Sequence, residues 1–109
     1  MVKRISLVWK RPDLTREAFR KIWLSEHAVA AKRLPGLREY VIDFVHEAPE
    51  GAPDAIVTVC FDTRASLDAA FSIPELKAEL LRTRDQFASQ VQLVFVDECT
   101  VVRKQESRQ

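Results

Sequence analysis

Apolar and polar positions along the chain alternate between two periods. VKRISLVW, Val2 to Trp9, is rich in apolar and β-branched residues and reads as a strand, broken by Arg11-Pro12-Asp13. Thr15 then supplies an N-cap, and Glu17 favours the positive end of a helix dipole. Apolar residues recur at helical spacing until Leu34-Pro35-Gly36 stops the run. LREYVIDFVH, Leu37 to His46, and AIVTVCF, Ala55 to Phe61, read as a second and a third strand. The turn-rich EAPEGAPD between them is short enough for a hairpin with a longer loop. A short helical stretch, Thr63 to Phe71, follows. Ser72-Ile73-Pro74-Glu75 fits a capping box that would open a second long helix, about Ile73 to Ser89, with Leu76, Leu80 and Phe87 at helical spacing. VQLVFVDECTVV, Val91 to Val102, closes the pattern as a fourth strand.

The order β-α-β-β-α-β is that of the split, ferredoxin-like α+β arrangement. Right-handed crossovers then give an antiparallel four-stranded sheet ordered 4-1-3-2 with the helices on one face. A chain of 109 residues suits one such domain. Residues 1–102 are expected to form it, and Arg103 to Gln109 (RKQESRQ) a polar tail. With helices on one face only, the strands of a monomer should alternate cleanly between apolar and polar. They do not: Ala55, Val57, Val59 and Phe61 point one way and Ile56 and Cys60 the other, while Leu93 and Phe95 oppose Val94, Val96 and Val102. A sheet apolar on both faces needs a second cover, which predicts a homodimer packed through the helix-free sheet face.

Composition narrows the partners. With 17 basic and 16 acidic residues the net charge is +1, so the chain carries no electrostatic footprint for nucleic acid or an anionic membrane. No apolar run is long enough to span a bilayer, and a cytoplasmic location is the expectation. The two cysteines, Cys60 and Cys99, lack metal spacing and read as buried thiols. On strands three and four, with strand one between them, they would lie about 9–10 Å apart. That exceeds the reach of about 7 Å that a disulfide allows, so both are expected to stay reduced. Two glycines cannot build a phosphate loop, and no GxSxG or HExxH motif is present. Neither a metal nor a cofactor is expected.

The chemistry on offer lies on the first helix. Its inward stripe should run through Phe19, Ile22, Trp23, Glu26, Ala30 and Leu34, with His27 on the flank four residues after Trp23. An ionised carboxylate in a closed core costs several kcal/mol unless paired. The helix and sheet are therefore expected to part at this level and leave a pocket.

KRPDLTREAFRKIWLSEHAVAAKRLPGLREYVID resembles the amino-terminal signature of the EthD-like family within the dimeric α+β barrel superfamily. The resemblance rests on Arg11-Pro12, Phe19, Trp23, His27, Leu34 to Leu37 and Tyr40-Val41. FDTRASLDAAFSIPE is similar to the family's link between strand three and the long second helix. The chain departs from the family pattern at Val29, where a proline two residues after the histidine is common. The resemblance implies the ferredoxin-like fold and the dimer. It also implies cofactor-free chemistry on small cyclic or aromatic compounds, of the kind found in degradation pathways and polyketide tailoring. Histidine is the side chain that titrates near neutrality, so His27 is the expected general acid/base. Tyr40 would donate to an enolate-like oxygen and Glu26 would orient the imidazole. Trp23, Phe19 and Ile42 would wall a small apolar or aromatic ligand. The expected reaction is an isomerase, cyclase or lyase step. The alternative is a non-catalytic accessory protein that holds a hydrophobic metabolite with the same residues.

Overall fold

A computed structural model describes residues 1–105; of the expected polar tail, residues 106–109 lie outside the described residues. Strands β1 (Val2–Lys10), β2 (Glu39–Phe44), β3 (Ala55–Phe61) and β4 (Ala88–Val96) form one antiparallel sheet in the order β2-β3-β1-β4. This is the expected order read from the other edge. The ferredoxin-like α+β fold follows, with the helices on one face.

The first helical region is one continuous rod in three parts: α1 (Arg16–Ile22), a π-helical turn (Trp23–His27) and α2 (Ala28–Ala31). Thr15 caps it as expected, its hydroxyl accepting from the Ala18 N–H. At the far end Gly36 takes a φ of +80°, a conformation that closes the Leu34-Pro35-Gly36 turn and disfavours any residue with a Cβ. α3 (Arg64–Ala70) is capped by Thr63, whose side chain exchanges hydrogen bonds with Ser66 in a capping box.

The elements at the second crossover differ from expectation. The box expected at Ser72 does not form: Ile73 occupies the N-cap of α4 (Pro74–Arg84) without a side-chain bond, and Pro74 opens the helix. The Ser72 hydroxyl instead donates to the Asp68 carbonyl, closing the preceding helix. Pro74 lacks an N–H and fixes its own φ, so it can start the helix unaided. α4 also ends earlier than expected, and Phe87 belongs to the turn before β4. Residues Ala88 to Gln90 pair with the end of β1 through a bulge opposite Trp9 and Lys10, where the Ser89 hydroxyl donates to both carbonyls. Beyond Val96 the chain leaves the sheet. Cys99 therefore lies outside β4 and is exposed, not buried as the sequence suggested, while Cys60 is buried; both are free.

Strand register sorts the side chains onto two faces, because directly opposed residues point the same way. Arg4, Ser6 and Val8 align with Val59, Val57 and Ala55 on one side and with Phe95, Leu93 and Val91 on the other. These face the helices, with Tyr40, Ile42 and Phe44 of β2. Ile5, Leu7, Val41, Ile56, Val94 and Val96 lie on the opposite, helix-free face. The core sits between sheet and helices, built on Phe19, Trp23, Phe61, Leu67, Leu80 and Phe87.

Candidate small-molecule site

The core is incomplete at one level. Between the helix-facing side of the sheet and the pair formed by the π-turn and α4 lies a cavity of about 320 Å³. An apolar cavity of about 150 Å³ already accommodates benzene, so this one has room for one or two rings. Its walls are Trp23, Val57, Val59, Leu80 and Phe87, and its polar groups are Arg4, Ser6, His27, Tyr40, Lys77 and Arg84.

The π-turn decides which polar residue enters. Its signature is the Ala28 N–H bonded to the Trp23 carbonyl, five residues back rather than four. The wider turn brings His27 back over Trp23 and swings Glu26 outward. Glu26, expected in the inward stripe, is exposed and does not line the cavity. Its position is a correction to the regular-helix reading, and with it goes the expected contact between carboxylate and imidazole.

His27 is fixed from α4. Its Nδ1 lies 2.8 Å from the Thr83 hydroxyl oxygen, which in turn sits 2.8 Å from the Glu79 carbonyl and 3.2 Å from that of Leu80. With two carbonyl acceptors in reach, the hydroxyl proton is assigned to them and Nδ1–H is assigned as the donor to Thr83. That assignment leaves the lone pair on Nε2 as the ring nitrogen available to a ligand. Burial lowers the His27 pKa to about 4, and the Arg84 charge pushes in the same direction. The imidazole is therefore neutral at neutral pH.

Trp23 is only 1% exposed, stacked on Phe87 at 4.6 Å and edge-on to Phe19 at 5.5 Å. Its indole Nε1–H donates to the Tyr40 hydroxyl at 3.1 Å. Tyr40 thus spends an acceptor site on Trp23 and keeps its own proton for another partner. Burial raises its pKa, which keeps it a neutral donor.

The structure brings His27, Tyr40 and Trp23 together as anticipated. Phe19 is buried behind Trp23 and braces it, and Ile42 packs on the core from β2; neither lines the cavity. Arg4 and Thr83 were not anticipated. Arg4 had a signal in the sequence, since Arg4 and Ser6 are polar at the strand parity that carries Val2 and Val8 toward the helices. Thr83 had none short of the packing of α4 against the π-turn.

Among the described residues, no group of three or more His, Cys, Asp or Glu side chains converges on a possible metal position, and no helix is long and apolar enough to cross a membrane.

A model of the EthD domain matches residues 11–90. No protein with a curated description matches the chain. Solved structures do. An ethyl tert-butyl ether D (EthD) family protein from Bacillus halodurans superimposes with a TM-score of 0.71 at 22% identity, covering 91% of this chain and all of its own. A dimeric protein of ferredoxin-like fold from Bacteroides fragilis gives 0.64 at 18% identity, over 89% of this chain and 95% of its own. A cofactor-independent oxygenase from Streptomyces nogalater, SnoaB, gives 0.65 at 10% identity, over 94% of this chain and 97% of its own.

Proposed function

The chain belongs to the EthD domain family, and on that premise we propose that it is a cofactor-independent enzyme moving protons on a small cyclic or aromatic carbonyl compound. Residues 1–102 form its working unit, as a homodimer. The observation that carries this reading is the cavity beside Trp23, with His27 tied at Nδ1 to Thr83 and Tyr40 holding a free donor.

His27 Nε2 takes a proton from the carbon beside the carbonyl. The electrons move to the carbonyl oxygen, and the Tyr40 hydroxyl donates a hydrogen bond to the oxyanion. The imidazolium then returns the proton to a different carbon, which makes the net change an isomerisation; or to a leaving group as its bond to the neighbouring carbon breaks and the enolate re-forms the carbonyl, which makes it a lyase step; or, where the enolate carbon bonds to a second carbonyl carbon of the same molecule, to the oxygen of that carbonyl, which makes it a cyclisation. Trp23 and Phe87 supply flat walls for the ring. Glu26 takes no part, because it faces solvent.

One observation favours a second reading, an accessory protein that binds without turnover. An imidazole with a pKa of about 4 is a weak base in the empty cavity. The two readings part on one experiment. If His27 is the general base, His27→Ala lowers turnover by about 10²–10⁴-fold and His27→Gln restores little, with fold and dimer intact. If the protein only binds, both variants change affinity alone, by about 1–3 kcal/mol for a lost buried hydrogen bond. Full activity of His27→Ala on the true substrate would end the catalytic assignment.

A further inference from the structure

We propose that the cavity takes a small ring-bearing acid as its anion, with the Arg4 guanidinium as receptor for the carboxylate. The inference deepens the small-molecule reading above and rests on it.

Arg4 sits mid-strand in β1, the central position of the sheet flanked by β3 and β4, and reaches into the cavity from the sheet side. Among the described residues it forms no ion pair and no side-chain hydrogen bond, and its Nε is fully buried without a partner. Its guanidinium carbon lies 3.7 Å from the ring centroid of Phe71. A cation over a ring face recovers only part of what a half-buried guanidinium loses in leaving water. A half-buried guanidinium whose Nε is shut from water without a partner is a poor way to fill a core and a suitable way to hold an anion.

The surroundings agree. Among the described residues no Asp or Glu lines the cavity, while Lys77 and Arg84 join Arg4 there, so every full charge they place on its wall is positive. Apart from Ser6, His27 and Tyr40 the remaining wall is apolar and aromatic, which suits a ring and not a sugar or a nucleotide. A guanidinium presents a planar fork of donors, the match for a planar carboxylate. The same anion would offset the Arg4 and Arg84 charges that, after burial, disfavour protonation of His27. Substrate binding would in this way make His27 a stronger base only when the cavity is filled.

The test uses matched pairs that differ in charge and little in shape: benzoate with benzamide, and 2-naphthoate with 2-naphthamide. Binding to the full chain is read by calorimetry, with the Trp23 indole and His27 ring signals followed by NMR. The acid of each pair is expected to bind about 10- to 100-fold more tightly than its amide. Arg4→Met, which keeps the length and removes the charge, should bring the acid down to the amide's affinity and leave the amide unchanged. Arg4→Lys should retain part of the difference. Equal binding of acid and amide, or an equal loss of both in Arg4→Met, would overturn the anion assignment and leave the small-molecule cavity standing. Failure of all four probes to bind or to move the Trp23 and His27 signals at millimolar concentration would count against both.

Discussion

At the scale of single residues, the site turns on a proton that His27 does not hold. Its pKa drops from 6.5 to about 4 through burial first and the Arg84 charge second; the groups facing it are Thr83 and Arg84 from α4 and, across the cavity, Arg4. Between those two pH values the unfolded chain binds the proton and the folded chain does not, so stability rises with pH across the window. On acidification the loss begins near pH 6.5 and is complete below about 4, with an upper value of about 3 kcal/mol at 1.36 kcal/mol per unit. Urea unfolding of wild type and His27→Gln at about pH 7 and about pH 4.5 checks this. Wild type should lose more stability than the variant, since glutamine keeps a polar group near Thr83 and does not titrate. Parallel losses would mean that the imidazole is not enclosed as described. Trp23 was legible in the helical stripe and His27 on its flank four residues later, while Tyr40 entered through the resemblance to the EthD-like family. Glu26 was misplaced because a regular helical period was applied across a segment that is not a regular helix.

At the scale of elements, that irregular segment separates a packed core from a site. A π-turn is one residue more than an α-helix needs, and such turns recur at functional positions because the insertion re-aims side chains at some cost in stability. Deleting Ser25, which is exposed and whose hydroxyl donates to the Ile22 carbonyl, would let the rod close as an uninterrupted α-helix with the segments on either side kept in phase. The deletion variant should fold with unchanged or raised thermal stability. His27 should part from Thr83 and its NMR-determined pKa should return toward 6.5. A deletion variant that keeps the low pKa would show that the turn does not position the imidazole. Strands and helices themselves were legible from period and breakers, and β3 was located to the residue. The start of α4 fell within one residue of expectation, from a proline rather than a side-chain cap, while the end of α4 and the bounds of β4 shifted, the strand starting at Ala88 through a bulge that local sequence did not suggest. Both depend on tertiary partners that a linear pattern does not contain.

At the scale of the whole molecule, one sheet has to serve two purposes, and its two faces divide them. The helix side carries Arg4, Ser6, Tyr40 and the cavity; the other side carries Ile5 and Leu7 at the centre, flanked by Val41, Ile56 and Val94. These apolar side chains, with Thr58, Asp43 and Gln92 in the same register rows, form an apolar stripe over the middle of the sheet, and such patches on soluble proteins mark contact surfaces. A second copy is the simplest cover, since a two-fold axis lets the same patch meet itself, and a stable interface of this kind buries about 800 Å² per partner. Light scattering should therefore return about twice the chain mass of 12.5 kDa at micromolar concentration. Leu7→Lys would place one charge from each copy near the axis, where neither finds a partner, and should give monomers. Leu93→Lys is the matched control. It puts the same charge on the same sheet but on the helix-facing side, at a residue already 51% exposed, and should leave the dimer whole. A wild-type monomer would remove the reason for the apolar second face. Dissociation by Leu93→Lys together with an intact Leu7→Lys dimer would move the interface to the cavity side, where a partner would help enclose the ligand.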